Sequence, residues 1–455
     1  SGMNGIAEIL LEMGYHVEGS DINDSPVITH LRKLGIKVSI GHNANNIHPD
    51  VDVVIYSSAI QKNHNSEVRK AKAFNIPVIK RSVMLAELSR IGKSIAVAGT
   101  HGKTTTTTMV GQILTDAGMD PIILVGGIIK NTNAGARWGN REYIIIEADE
   151  FDQSFLKLAP IYEIVTNIET DHIECYGSFE KIKQAFADFI NKVPFYGKAA
   201  VCLDERGIQE ILPLIESPFL TYSILTEQAD FYARNIKFEN DGSSFGVFHK
   251  ADFLGTIFIP LPGEHNVKNA LGAISIACEL NIPFQLIKKS LSNFSNAKRR
   301  FEIIYTGETA VKLIDDYAHH PTEIQATHKA ARTITKNRVI AIFQPHLYSR
   351  TLNFADEFGK AFDSADQIIV TDVYAARENP IEGISGELIV NKIKESAPGK
   401  NVVYIKDKDL IPEQLIEEIK NGDTIISLGA GDINLALFRL RDLLRAREAI
   451  LLTVN

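Results

Sequence analysis

The chain has little cysteine, no long hydrophobic run and no excess of positive charge among its 455 residues. Its three cysteines, Cys175, Cys202 and Cys278, cannot all pair and form no CxxC motif, which predicts reduced thiols and a cytoplasmic protein. No apolar run reaches the roughly 18–20 residues that a membrane-spanning helix needs, and the first residues do not resemble a secretory signal. A formal net charge of −8 argues against nucleic acid or an anionic membrane as the partner, since either requires a basic surface.

Short strand-like and helix-like segments alternate along most of the chain, which predicts an α/β fold with parallel sheets covered by helices. Breaks near Gly92 and at residues 297–300 predict three domains, over 1–92, 93–297 and 298–455. Helices are predicted early in the chain at 27–34 and 66–74. The apolar pattern predicts strands at 15–21, 51–56, 76–79, 94–98, 143–146, 164–168, 312–314, 338–343, 367–371, 402–405 and 424–428.

The strongest chemical signal is the segment GTHGKTT at positions 99–105, which follows a predicted strand and opens a predicted helix. This is the context of a phosphate-binding loop, in which glycines let backbone N–H groups face phosphate oxygens and the helix N-terminus adds positive charge. We expect Lys103 to neutralise the β- and γ-phosphates and the Thr104 hydroxyl to bind Mg²⁺. The alternative, a glycine turn beside an exposed lysine, does not account for the strand–loop–helix context.

Acidic and polar side chains follow two further predicted strands. Three isoleucines lead into EADE at 147–150, and the strand at 164–168 leads into the end of TNIETDH at 166–172. Since α/β folds bind ligands at the carboxyl ends of their strands, Glu147 and His172 are candidate metal ligands that we expect to lie close together. Taken singly, a solvated acidic turn and a structural histidine are the alternatives.

Four later segments carry polar residues suited to binding small molecules. In GEHNVKNA at 263–270, Asn266 and Asn269 share one helix face and could read a purine edge, although helix capping by Asn266 explains that residue equally well. Strands then end in polar clusters, which together predict a pocket for a small zwitterion, while solvated loops are the default reading of each cluster alone. These clusters are DDYAHHPTE at 315–323, FQPHLYSRT at 343–351 and DVYAARE at 372–378.

In their order along nearly the whole chain, GTHGKTT, EADE, TNIETDH, GEHNVKNAL, KRRF, DDYAHHPTE and FQPHLYSRT resemble the motifs of the Mur ligase family. The resemblance implies a UDP-binding Rossmann-like domain, a central P-loop ATPase domain and a Rossmann-like C-terminal domain that binds the amino acid. It implies a ligase that uses ATP and Mg²⁺ to join an amine to a carboxylate through an acyl phosphate.

The last two motifs are closest to the family members that add L-alanine to the lactyl carboxylate of UDP-N-acetylmuramate. The alternatives are a family member that adds another amine, such as a recycled tripeptide, and a nucleotide-regulated binding protein without ligase chemistry.

Matching of motifs also implies roles for individual residues. The catalytic candidates are Lys103, Glu147, His172 and Arg300. The candidates for ATP binding are Gly99, Thr100, His101, Gly102, Lys103, Thr104, Thr105, His265, Asn266, Asn269, Arg300 and Asp316. The candidate metal ligands are Thr104, Glu147 and His172, and the candidate substrate-binding residues are Asp21, Ser57, Ser58, His320, His346 and Arg350.

The chain departs from the family pattern at two places. Leu347 stands where the alanine-adding members often carry arginine, which leaves Arg350 as the better candidate for binding a carboxylate. The first residues, SGMNG, resemble the end of the family's G-x-G-G-x-G-M-x-G loop. We therefore expect the first strand of the N-terminal sheet and the first glycines of the loop to be missing, and the sugar nucleotide to bind more weakly than it does to an intact homologue. The alternative is that Ser1 and Gly2 are residues left from expression.

Overall fold

The structure is a computed structural model and describes residues 2–57, 59–130, 134–171, 173–239, 242–376 and 378–454. The strands are β1 (Glu18–Asp21), β2 (Lys37–Ile40), β3 (Val54–Tyr56), β4 (Val78–Lys80), β5 (Lys93–Ala98), β6 (Ile122–Ile129), β7 (Ala134–Arg137), β8 (Tyr143–Glu147), β9 (Tyr162–Val165), β10 (Lys198–Cys202), β11 (Phe219–Ser223), β12 (Phe231–Glu239), β13 (Gly242–His249), β14 (Asp252–Ile259), β15 (Glu302–Thr306), β16 (Lys312–Asp316), β17 (Val339–Phe343), β18 (Gln367–Val370), β19 (Asn401–Tyr404) and β20 (Thr424–Leu428).

The helices are α1 (Gly2–Glu12), α2 (Pro26–Lys33), α3 (Ser66–Ala73), α4 (Arg81–Ser89), α5 (Lys103–Asp116), α6 (Ile173–Tyr176), α7 (Phe179–Ile190), α8 (Arg206–Ile211), α9 (Glu264–Glu279), α10 (Phe284–Ser292), α11 (Pro321–Ile334), α12 (Tyr348–Asn353), α13 (Ala355–Gly359), α14 (Gly386–Ser396), α15 (Ile411–Leu415) and α16 (Asn434–Val454). Short 3-10 helices lie at Ala44–Asn46, Phe151–Lys157, Leu212–Leu214 and Lys408–Leu410. Among the described residues, no helix is long and apolar enough to cross a membrane.

The chain folds into two compact units. The first comprises Ser1–Asn235, Phe245–Ile257 and Val267–Ala297, and the second Ile236–Ser244, Phe258–Asn266 and Lys298–Asn455. The division into three domains at residues 92 and 297 stays a prediction.

The N-terminal part of the first unit contains two parallel strand pairs, β1 with β2 and β3 with β4. The first strand is shorter than the pattern over 15–21 predicted. Pairing starts where Glu18 lies opposite Lys37, the first residue of β2, so the preceding residues have no partner strand there, and Tyr15 is exposed. The strand predicted at 51–56 likewise begins only at Val54.

A ten-stranded sheet follows, in the order β14-β13-β12-β11-β10-β9-β5-β8-β6-β7. Strand β5 lies between β9 and β8 and runs parallel to both, with Val97 opposite Glu147 and Ala98 opposite Val165. The carboxyl ends of these three strands therefore meet at one edge. The sequence analysis did not predict β6, β7 or β10–β14; β6 contains two adjacent glycines and β12 is polar in its second half, and both features weaken a strand pattern.

The second unit is built on a six-stranded sheet in the order β15-β16-β20-β17-β18-β19. Its strands are parallel except for β15, which runs antiparallel to β16. The strands β16, β20 and β17 are neighbours, so the polar segments that follow Asp316 and Phe343 leave the same edge of the sheet. This is the second doubly wound arrangement that the alternating pattern predicted.

Helix starts are fixed by local side chains. Ser25 caps α2 by accepting the N–H of Ile28, and Pro26 occupies the first turn, where its missing N–H costs nothing. Ser178 and Ser385 cap α7 and α14 in the same way. Each such cap stabilises a helix by about 1 kcal/mol.

A buried histidine makes the stability of the second unit depend on pH. His328 of α11 is 0% exposed and lies beside the Phe362 ring, and burial lowers the pKa of its imidazole from 6.5 to about 4. Between these values the unfolded chain holds a proton that the folded chain does not, so this contribution to stability is complete above pH ~6.5 and is lost as pH falls toward 4. At about 1.4 kcal/mol per tenfold change in proton affinity, the loss is on the order of 3 kcal/mol.

We expect thermal unfolding at pH 5 and pH 7.5 to show a smaller difference in Tm for His328→Gln than for the unchanged chain. His16→Gln is the matched control, because the His16 side chain is 85% exposed. If the Tm difference between the two pH values is as large in His328→Gln as in the unchanged chain, His328 is not the source of the pH dependence.

Candidate active site

The glycine-rich loop connects β5 to α5 and needs both of its glycines. Gly99 has a φ of 133° and Gly102 a φ of 82°, which is the left-handed region that glycine tolerates. A Cβ on Gly99 would clash with the Thr166 hydroxyl, and one on Gly102 would clash with the amide oxygen of Asn269. The loop is thus packed closely against the segment after β9 and against α9.

Residues that follow β9 hold the backbone of the loop. The N–H of His101 donates to Asn167 Oδ1 at 2.7 Å, and the Thr166 hydroxyl donates to the His101 carbonyl at 2.5 Å. The Thr100 hydroxyl accepts the N–H of Glu169 at 2.9 Å. From the sequence, this segment was predicted to lie at the site because it leads to His172. The supporting hydrogen bonds of Thr166 and Asn167 were not predicted.

Lys103, the first residue of α5, is enclosed rather than exposed. Its ammonium donates to the carbonyls of Gly99 and Thr100 at 2.6 and 3.1 Å and lies 2.8 Å from Glu150 Oε2. Burial lowers the pKa of Lys103, but the neighbouring carboxylates, first that of Glu150, outweigh this and leave the pKa raised. The lysine therefore carries its charge at neutral pH.

Thr104 and Glu147 form the pair that the sequence suggested for a metal. The Thr104 hydroxyl donates to Glu147 Oε2 at 2.9 Å, and the same oxygen accepts the N–H of Gly126 at 2.8 Å. A hydroxyl and a carboxylate at hydrogen-bonding distance are oxygen donors of the kind that Mg²⁺ prefers. This donor set fits the ion. His172 lies outside the described residues, so its expected proximity to Glu147 stays a prediction.

The two asparagines of α9 have different surroundings. Asn269 lies against Gly102, whereas the side-chain amide of Asn266 donates to the Pro262 carbonyl at 2.8 Å. Asn266 thus makes a local contact at the start of its helix, but this bond is not the helix cap of the alternative interpretation, because the amide donates to a preceding carbonyl and does not accept an N–H of the helix. His265 occupies the first turn of the same helix. A further residue, Asn296, donates to the Thr105 hydroxyl at 3.3 Å and was not identified from the sequence.

In the second unit, the segment before β15 lies against the end of β16. Asp316 accepts the N–H groups of Phe301 and Ala318, both at 2.7 Å. Burial raises the pKa of Asp316 to about 6, and the Arg300 guanidinium acts against this shift. Arg300 also lies over the Tyr317 ring, 5.1 Å from its centre. Arg300 and Asp316 therefore lie close together, and their roles as nucleotide contacts stay predictions.

The two adjacent histidines after β16 have different positions. His320 is the N-cap of α11, where its ring accepts the N–H of Thr322 while Glu323 accepts the N–H of His320. His319 instead lies beside His346, with ring centres 5.9 Å apart. Burial lowers the pKa of His319 well below its ordinary value, and Arg350 and His346 add to this effect. From the sequence, His320 was the predicted contact for the substrate. His319, which lies beside His346 and is affected by the charge of Arg350, was not predicted.

The turn that carries Leu347 is strained. Leu347 has a φ of 68°, which is rare for a branched residue, and its N–H donates to the Tyr374 carbonyl at 3.0 Å. The Tyr374 ring stacks on His346 with centres 5.8 Å apart. Strain of this kind persists where surrounding contacts fix it, as they do here beside His346 and Arg350.

The candidates for the sugar nucleotide follow strands of the N-terminal part. Asp21 ends β1, and its carboxylate accepts the N–H of Asn23 at 3.1 Å. Ser57 follows β3, and its hydroxyl accepts the N–H of Ala59 at 3.1 Å. Ser58 lies outside the described residues.

Comparison with known families matches three models to consecutive parts of the chain. The model described as "Mur ligase family, catalytic domain" matches residues 1–92, "Mur ligase middle domain" matches 97–277, and "Mur ligase, glutamate ligase domain" matches 299–431.

Individual relatives match over nearly their whole length. The UDP-N-acetylmuramate–L-alanine ligase of Sulfurihydrogenibium sp. is 49% identical, over 95% of this chain and 93% of that protein. The protein of the same name from Persephonella marina is 44% identical, over 99% and 96%. Among solved structures, the UDP-N-acetylmuramate–alanine ligase of Thermotoga maritima has a TM-score of 0.83 at 27% identity, over 98% of this chain and 97% of that chain. A murein peptide ligase from Psychrobacter arcticus has a TM-score of 0.69 at 26% identity, over 97% and 96%.

Proposed function

Because this chain belongs to the Mur ligase family, we propose that it joins L-alanine to the lactyl carboxylate of UDP-N-acetylmuramate at the expense of ATP. The assignment of these substrates is supported by the 44–49% identity to alanine-adding relatives over 93–96% of their length. The higher TM-score of the alanine-adding enzyme, 0.83 against 0.69 for the peptide ligase, favours L-alanine over a peptide as the amine.

The chemistry requires an activated carboxylate, because an amine does not displace oxygen from a carboxylate at neutral pH. An oxygen of the lactyl carboxylate attacks the γ-phosphorus of ATP, the bond to ADP breaks, and an acyl phosphate forms. The neutral amine of L-alanine then attacks the acyl carbon, phosphate leaves with the electrons of the C–O bond, and the nitrogen loses a proton. Both steps move negative charge between oxygens, so fixed positive charge is the main catalytic requirement.

We assign that charge to residues at the two sheet edges. Lys103 is enclosed by the glycine-rich loop and carries its charge, which suits it to hold the transferring phosphate. Thr104 and Glu147 would hold Mg²⁺, which supplies further positive charge to the phosphates when bound. The proposed cofactors are accordingly ATP and Mg²⁺. Arg300 of the second unit stays a candidate for a nucleotide contact.

The incoming amino acid is assigned to the cluster of His346, Arg350 and His319. Arg350 would bind the carboxylate of L-alanine, since a guanidinium can donate two parallel hydrogen bonds to it. His319 stays neutral because burial and the nearby Arg350 lower its pKa, so it adds no charge that would repel the ammonium form of the substrate. A cytoplasmic location is also proposed, in keeping with the finding that Cys175, Cys202 and Cys278 form no disulfide bond with one another.

Arg350→Ala is expected to raise the KM for L-alanine about tenfold or more while changing the KM for ATP less than twofold, because the lost contact is charge-assisted and specific to the amino acid. Steady-state kinetics with each substrate varied in turn measures both values. Arg350→Lys is the control that keeps the charge without the fork of two donors. Equal changes in both KM values would show that Arg350 stabilises the structure and does not bind the amino acid.

Phosphate release with each substrate omitted in turn tests the function as a whole. A ligase releases phosphate rapidly only when UDP-N-acetylmuramate, L-alanine and ATP are all present. A nucleotide-regulated binding protein would hydrolyse ATP at the same slow rate in every mixture, which would contradict the proposal.

A further inference from the structure

The Lys103 ammonium is bound entirely by acceptors of the protein itself. Nζ lies 3.0 and 2.8 Å from the two carboxylate oxygens of Glu150 and 2.6 and 3.1 Å from the carbonyls of Gly99 and Thr100. An ammonium has three donors, so these four acceptors occupy all of them. A phosphate that binds Lys103 must displace at least one of these partners.

Glu150 lies in a segment that several hydrogen bonds hold in place. Its backbone carbonyl accepts the hydroxyl of the buried Tyr176 at 2.6 Å. One residue earlier, Asp149 accepts the N–H of Phe151 at 3.1 Å and, through its carbonyl, the Ser154 hydroxyl at 2.9 Å. The turn after β8 is therefore held from several directions. The long, flexible side chain of Lys103 is the member of the pair that can move.

The pair is also poorly screened by solvent. The Lys103 side chain is 15% exposed and the Glu150 side chain 5%. Asp149 and Glu147 act on the same ammonium, so one lysine faces three carboxylates. This surplus of negative charge opposes the approach of a polyphosphate, and the ammonium that would attract the phosphates is held by Glu150.

We propose that Glu150 is a positioning residue that competes with the phosphates of ATP for the Lys103 ammonium. It weakens the binding of ATP when the nucleotide enters, and it eases the release of ADP and phosphate when the lysine returns to it. Glu150 acts through Lys103 and touches no reacting atom. The inference rests on the proposed function in one respect, which is that the glycine-rich loop binds ATP.

Glu150→Gln tests this directly, because it keeps the shape of the side chain and removes its charge. We expect the Kd for ATP, measured by calorimetry on the full chain with Mg²⁺, to fall roughly tenfold, since a charge-assisted contact no longer opposes the phosphate. Product release is expected to slow, so kcat falls while the KM for ATP also falls. Glu150→Asp has a shorter side chain, and its Kd for ATP is expected to lie between that of Glu150→Gln and that of the unchanged chain.

Asp149→Asn is the matched control for charge. It removes one negative charge one position away. The Asp149 carboxylate pairs with Arg81 at 3.4 Å and acts on Lys103 through its charge only, without a hydrogen bond. We expect its Kd for ATP to change less than about threefold. An equal gain in affinity in the Asp149 and Glu150 variants would show that net charge, and not the pair with Lys103, governs binding, and would overturn the proposal.

A double-mutant cycle separates the mechanism from a purely structural ion pair. In the Lys103→Ala background, Glu150→Gln is expected to lower the Kd for ATP by a much smaller factor, because only the repulsion between the carboxylate and the phosphates is then removed. Persistence of the full effect in that background would overturn the inference, as would an unchanged or raised Kd in folded Glu150→Gln with lysine present. If the unchanged chain itself fails to bind ATP, the failure lies with the proposed function and not with Glu150.

Discussion

Lys103→Ala is expected to lower the rate of phosphoryl transfer about 10²-fold or more. The physical reason is that the ammonium supplies positive charge at the glycine-rich loop, beside the carbonyls of Gly99 and Thr100. Removing one such preorganised contact to a transferring phosphate typically costs this much. Single-turnover formation of acyl phosphate and ADP, with L-alanine omitted, measures the step without interference from product release.

The variant also has a structural consequence. Lys103 does more than face the phosphates, because its side chain is paired with the nearly buried Glu150. Removing the lysine leaves that carboxylate without its cation, which destabilises a protein by about 3–5 kcal/mol when the pair is fully buried. Adding Glu150→Gln to Lys103→Ala should recover much of the lost Tm but none of the lost rate. Near-normal turnover in the folded single variant would contradict the loop assignment.

Glu147→Gln is expected to lower kcat by a similar factor, on the order of 10²-fold, and to raise the concentration of Mg²⁺ needed for half-maximal rate. The carboxylate accepts hydrogen bonds from Thr104 and from the N–H of Gly126, both of which an amide oxygen can also accept. The hydrogen bonds from Thr104 and Gly126 to residue 147 should therefore persist, while the negative charge that attracts Mg²⁺ is lost. A Mg²⁺ titration of the rate separates this effect from a general loss of activity.

Thr104→Ser is the control for Glu147→Gln. It keeps the hydroxyl that donates to Glu147 and removes only a methyl group, so the Mg²⁺ dependence should stay close to that of the unchanged chain. A Glu147 variant with normal turnover and a normal Mg²⁺ requirement would show that the ion is bound elsewhere.

The edge of the central sheet was predictable because it follows from local pattern. A strand, two obligatory glycines and a helix start define the loop, and the acids at 147–150 end a strand that proved to be its neighbour. The sequence could not tell which acid faces which partner. Glu147 is the last residue of β8 and reaches Thr104, whereas Glu150 follows a turn and reaches Lys103. Only the path of the backbone distinguishes them.

The two histidines at 319 and 320 show the same limit in the second unit. Pro321 starts α11, so the residue before it becomes the N-cap and directs its ring at the helix, while His319 lies beside His346. Two adjacent residues at the start of a helix can therefore have different neighbours, and the residue type alone does not show which of the two histidines lies beside His346. The supporting residues Thr166, Asn167 and Asn296 were missed because hydrogen bonds across strands and loops leave no periodic signal.

The transfer of oxygen from substrate to phosphate tests the central claim most directly. UDP-N-acetylmuramate labelled with ¹⁸O in both oxygens of its lactyl carboxylate is converted with ATP and L-alanine, and the released phosphate is analysed by mass spectrometry. Activation through an acyl phosphate predicts one ¹⁸O atom in each phosphate that is released, because the carboxylate oxygen that attacks the γ-phosphorus leaves with it. Phosphate without ¹⁸O, or label found in AMP, would contradict the account.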